Sequence, residues 1–201
     1  MDEGHLIMNM NHRMFALVFA TACLAGATMV ASTAMAGPMD AQDSVMVGGA
    51  AMYPSRNIIQ NAVNSKDHTT LVAAVKAAGL VDTLSGPGPF TVFAPTNEAF
   101  AALPAGTVDN LLKPENKAML IKILTYHVVP GRLSAEDLAA KVAAGGGKAE
   151  LKTVEGEVIS VSKDGDQWAI TDAKGNTVHV TIGNVFQSNG VIHVIDKVLM
   201  P

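Results

Sequence analysis

The side chains of this sequence with the widest chemical reach are its histidines, tyrosines, methionines and paired carboxylates, and their spacing decides what chemistry they could do. An imidazole titrating near neutrality can act as general base or metal ligand. His68, His127, His179 and His193 are scattered, and no pair has the i, i+4 or C-x-x-C spacing that brings ligands together. Met39, Met46 and Met52 carry soft thioethers suited to Cu(I), but at spacings of seven and six, with no His or Cys among them, they read as linker residues. Glu136-Asp137 belongs to a helix start and Asp164-Gly165-Asp166 to a tight turn, so neither forms an acid–base pair by sequence alone. No G-x-S-x-G, H-E-x-x-H or G-x-x-x-x-G-K-[ST] occurs. Gly145-Gly146-Gly147-Lys148 lacks both the spacing and the hydroxyl that would hold magnesium, and reads as a hinge. The expectation is no enzyme, no metal and no cofactor. A buried histidine usually satisfies main-chain groups through its two ring nitrogens, which is the role expected of His127 and His193.

The elements that must position these residues fall into two halves. In the first, residues 57–63 carry Ile58, Ile59 and Val63 at helical spacing. Asp67 or Thr69 can cap a second helix, with Leu71, Val72, Val75 and Leu80 on its apolar face and Gly79 near its end. Residues 85–89 break the pattern, and Phe90–Pro95 alternates as a strand does. Thr96 is placed to cap a short helix, residues 107–112 suit another, and Pro114 opens a longer one that ends at Tyr126 and His127. Ser134 with Asp137 opens one more. The second half reads as strands at 150–154, 157–162, 167–171, 177–182 and 191–199, with Glu155-Gly156, Asp164-Gly165, Lys174-Gly175-Asn176 and Asn189-Gly190 as turns. Helices early and strands late predict an α+β fold, mainly β, in which an antiparallel meander is covered by helices. Residues 191–196 are apolar on both faces, as a central strand requires.

Ahead of these elements, residues 14–30 are almost all apolar or small, Arg13 precedes them, and Ala34-Met35-Ala36 has the form that signal peptidase cleaves. The run is too short and too rich in small residues for a membrane span of about 20 strongly apolar residues. A lipoprotein reading through Cys23 meets Ala20 where a larger aliphatic residue is usual. Residues 1–36 are therefore expected to be a signal peptide, 37–55 a flexible Gly-, Ala- and Met-containing linker, and 56–201 one domain. Cleavage removes the only cysteine, so the domain must be held by its core. With no N-x-S/T site after the leader, the chain fits bacterial export, to the periplasm, the cell surface or the medium. It would touch the membrane only through the leader. Without the leader, 13 positive residues face 16 negative ones, a balance that argues against a nucleic-acid surface, which would be basic.

Three segments carry a family resemblance. Residues 90–100, with Thr91, Phe93, Pro95, Thr96 and Phe100, resemble the first signature block of fasciclin domains. Tyr126-His127-Val128-Val129-Pro130-Gly131 resembles the central tyrosine–histidine motif, and residues 189–199, with His193 and Asp196, resemble the closing block. The resemblance implies a wedge-like β-sandwich flanked by short helices, of the beta-Ig-H3 type. It also implies a non-catalytic extracytoplasmic module for adhesion, whose partner is a cell-surface or matrix protein or polysaccharide. Tyr126 and His127 are the partner-contact candidates it suggests. Asn116-Lys117 matches the start of an integrin-directed segment in some animal members, but Ala118-Met119 stand where an Asp-Ile pair would come next. General surface contact is what carries over there. An alternative is a periplasmic carrier holding a small apolar ligand between sheet and helices near Tyr126.

Overall fold

The computed structural model describes residues 44–201. The expected leader, its cleavage site, Cys23, Met39 and the start of the linker lie outside the described residues. The first described element corrects the linker reading. Val45–Val47 (β1) and Ala50–Met52 (β2) pair as an antiparallel hairpin across Gly48-Gly49. Both turn glycines have positive φ, 58° and 72°, the conformation that a tight two-residue hairpin demands. Val47 and Met52 are buried in the core. Lys66 N–H donates to the Gly48 carbonyl at 3.2 Å and Ser65 Oγ to the Val47 carbonyl at 3.2 Å, so the hairpin is sewn onto the domain.

The helices arise from local signals. Ile58–Ala62 (α1) starts with a reciprocal Asn57–Gln60 capping box. A 3₁₀ turn at Lys66–His68 leads into Thr69–Ala78 (α2), which ends at Gly79 in the left-handed conformation. Val81–Ser85 (α3) precedes the strand Phe90–Pro95 (β3). Asn97–Ala101 (α4) is capped by Thr96, and Thr107–Leu111 (α5) and Lys117–Tyr126 (α6) come next. After Val128–Pro130 (β4), Ala135–Ala144 (α7) opens on a Ser134–Asp137 capping box. Lys148–Lys152 (β5), Val158–Asp164 (β6), Gln167–Thr171 (β7), Thr177–Gln187 (β8) and Gly190–Ile195 (β9) complete the chain.

One seven-stranded sheet has the order β4-β3-β9-β8-β7-β6-β5. Its β5-to-β9 portion is the expected antiparallel meander. The β3–β9 pair is parallel, with Phe90 opposite Gly190 and Pro95 opposite Ile195, which corrects the all-antiparallel expectation. A parallel neighbour needs a crossover, and here nearly all of the intervening chain supplies it. The sheet also curls until its outer ends meet, where Val154 N–H donates to the Val128 carbonyl at 2.7 Å. β8 runs past its expected end because two register shifts between Val180 and Val185 break its alternation.

Two apolar clusters result. One lies between the helices and one sheet face, with Leu71, Phe100, Leu124 and Ile192. The other is wrapped by the curled sheet and α7, with Phe93, Tyr126, Leu138 and Ile170. β9 is buried on both faces and feeds both clusters.

Candidate functional site

Tyr126 and His127 close α6, whose Leu120, Ile123 and Leu124 face the helix-side core. That places the two motif residues at the junction of the clusters. Tyr126 is 0% exposed, and its hydroxyl accepts a bond from Ala173 N–H at 2.9 Å. Burial holds its pKa above the ordinary tyrosine range. His127 is 3% exposed; its Nδ1 lies 2.8 Å from the Ile123 carbonyl, and its Nε2 accepts from Leu199 N–H at 3.0 Å. Those partners fix a neutral tautomer protonated on Nδ1. Burial, opposed by the Ile123 bond, pushes its pKa down to about 4. Neither side chain reaches the surface, so a docked partner does not touch them. The main-chain bonds expected of His127 are present, while the partner contact that the resemblance suggested for Tyr126 and His127 finds no exposed side chain to make it.

The other motif residues also spend their polar atoms inside. Thr91 Oγ1 donates to the Gly131 carbonyl at 2.7 Å and accepts from Leu133 N–H at 2.9 Å, binding the chain after β4 across β3. His193 Nε2 donates to the Leu133 carbonyl at 2.9 Å, and its ring stacks on Phe93 with centroids 5.7 Å apart. Burial lowers its pKa, against the pull of the Leu133 bond. Pro95 ends β3, Thr96 Oγ1 accepts from Ala99 N–H at 3.2 Å, and Phe100 is buried beneath. Asp196 accepts from His179 N–H at 2.8 Å. Asp164 approaches His179 Nε2 at 3.3 Å while Asp196 approaches Nδ1 at 3.7 Å. The two carboxylates face different ring nitrogens and cannot share an ion.

The fasciclin domain model matches residues 66–201. The chain is 47% identical to Protein sll1483 of Synechocystis sp. over 186 residues, covering 92% of this chain and 96% of that protein. The chain belongs to the fasciclin domain family. Immunogenic protein MPB70 of Mycobacterium bovis is 37% identical over 145 residues, covering 70% of this chain and 66% of its own. A solved fasciclin domain pair from the insect cell adhesion molecule fasciclin I superposes with a TM-score of 0.65 at 18% identity, over 79% of this chain. This chain spans 58% of that pair's length, and the likeness is one of fold.

In this fasciclin domain several asparagines and one glutamine have roles that the sequence did not give, although Asn97 and Asn189 fall within the first and closing blocks. Asn189, expected as a turn residue, is buried. It accepts from Ile58 N–H at 3.0 Å and donates to the Leu84 and Gly86 carbonyls, each at 2.8 Å. Asn97 Oδ1 accepts from Thr70 N–H at 3.0 Å, capping α2 from a distant part of the sequence. Asn61 and Gln187 bond to each other inside the fold. Asparagine after a strand or helix is the available signal, but its partner lies too far along the chain to be named.

What the fasciclin domain presents outward is different in character. Asn116 is half-buried, donating to the Asn110 carbonyl at 2.7 Å, and Lys117 beside it is exposed. One helical turn on, Lys122 pairs with Glu157 at 3.2 Å and Glu155 at 3.6 Å. The enclosed apolar cavity that borders His127 and Phe93 measures about 30 Å³, room for a water molecule and far below the roughly 300 Å³ of a small-ligand site. Among the described residues no group of three His, Cys, Asp or Glu side chains could hold a metal, and no helix is long and apolar enough to cross a membrane.

Proposed function

We propose that this fasciclin domain is a non-catalytic interaction module, exported from a bacterial cell, that adheres to a protein or polysaccharide of a cell surface or matrix. The observation that carries the reading is where the signature side chains are spent. Thr91, Tyr126, His127 and His193 each bond to main chain inside the fold. Their chemistry builds the scaffold, and none of these four side chains is exposed in an open cleft, which a catalytic role for them would need. Function then falls to the outer surface. The fold it shares with a domain pair from an insect cell adhesion molecule is in keeping with the same reading.

Beads coated with the protein should attach to the cells that make it, above beads coated with the heat-denatured protein. Equal attachment of the two would remove the proposal. Tyr126→Phe, which keeps the ring in the core, should attach as wild type does.

A further inference from the structure

A single peptide unit in the β8–β9 turn is gripped from both sides by arginine residues. The Gln187 carbonyl accepts from Arg132 Nη2 at 2.6 Å, and Ser188 N–H donates to the Arg56 carbonyl at 2.9 Å. The C=O and N–H of a trans peptide sit a short, fixed distance apart, so the Arg132 guanidinium and the Arg56 main chain are at most about 8 Å from each other. The Arg56 guanidinium carbon lies 5.0 Å from the centre of the Tyr53 ring. These are the only arginines among the described residues, and both are exposed. Phe186, directly before the gripped peptide, is 39% exposed. On the Arg56 side an open depression of about 410 Å³ is floored by Ile59 and Val63, and Val63 is 51% exposed.

We infer that this face is the docking surface of the module and that it takes a protein segment rich in carboxylates with an apolar residue among them. The inference rests on the adhesive reading of the module. Guanidinium forks match carboxylates in a bidentate way that lysines cannot. Both forks are held before any partner arrives, Arg132 by the Gln187 carbonyl and Arg56 by the Tyr53 ring, which lowers the ordering cost of binding. Arginine, tyrosine and phenylalanine are also the side chains that dominate protein interfaces, around a pocket that an apolar anchor fills. A protein segment fits better than a sugar chain, because one face of Tyr53 is already taken by Arg56.

The test uses the whole protein and three fluorescent probes, read by anisotropy: a short peptide of Glu and Asp with one central Leu, the same peptide with Gln and Asn, and an oligo-uronate. The acidic peptide should bind and weaken as salt is added. The Arg56→Ala/Arg132→Ala protein should lose at least about tenfold in affinity. Arg132→Lys, which can still donate to the Gln187 carbonyl, should fall between, and Lys122→Ala should bind as wild type does. Equal binding of the amide peptide, undiminished binding by the double variant, or preference for the oligo-uronate overturns the inference. So does absence of any peptide binding by a protein whose coated beads still attach to cells. Failure of the beads themselves overturns the adhesive reading instead.

Discussion

His127 is the residue whose protonation the fold resists most plainly. Its buried ring bonds to Ile123 and Leu199 only as a neutral imidazole. Its pKa falls from 6.5 to about 4 on folding, so between those values the unfolded chain binds the extra proton. Stability is therefore complete above pH 6.5 and is lost as pH drops towards 4, by about 3 kcal/mol from this residue. His68 and His193, also held down by burial, act in the same direction. Urea midpoints measured across that range should decline for the wild type and decline less steeply for His127→Gln. Parallel curves would show that the imidazole is not the titrating group. That Tyr126 and His127 end a helix was legible from Pro114 and the apolar spacing. The inward, main-chain-bonded role of His127 was expected as well; that Tyr126 is buried beside it was not, because the partners of the two rings, the loop at Ala173 and the terminal segment at Leu199, meet α6 only in three dimensions.

At the scale of elements, local rules wrote the helices and long-range packing wrote the pairing of the strands. Thr96 and Ser134 announce α4 and α7 because a cap needs only the next three residues. The β5–β8 meander was equally readable, since each turn joins neighbours. Nothing in the alternation of β3 says that its partner is β9, or that the pair is parallel. The close approach of those two strands makes a sharp demand on Gly190. A Cβ there would run into the Phe90 carbonyl and press on Ile58 Cδ1 at 3.1 Å. Gly190→Ala should lower stability by at least about 2 kcal/mol or prevent folding, as read by denaturant titration. A loss of less than half that would mean the strands can part slightly at no cost. The β1–β2 hairpin is hidden in the sequence although Gly48-Gly49 is a recognised turn signal, because strands of three residues with alanines show too little alternation to stand out.

For the molecule as a whole, that hairpin is part of the core. Met52 is 1% exposed and packs in the helix-side cluster. Met52→Ala should cost about 2–5 kcal/mol, visible as a lower thermal midpoint, whereas a flexible tether at this position would give no change. The fold class, the division into helical and strand halves and the central place of β9 were all readable from residue patterns. The meeting of Arg132 and the Arg56 main chain on one peptide was not, since the turn that joins them lies far from both in sequence. Delivered N-terminus first, whether from a ribosome or through a membrane pore, this polypeptide hands over an interior strand of its sheet, β9, after all the others. Until Ile195 emerges, β3 and β8 have no common neighbour and both apolar clusters stay open. Non-local pairing of this kind is slow and leaves sticky edges in the meantime. The nascent chain is thus one that a holdase chaperone has time to bind, and a stop codon placed just before β9 would leave nothing able to close.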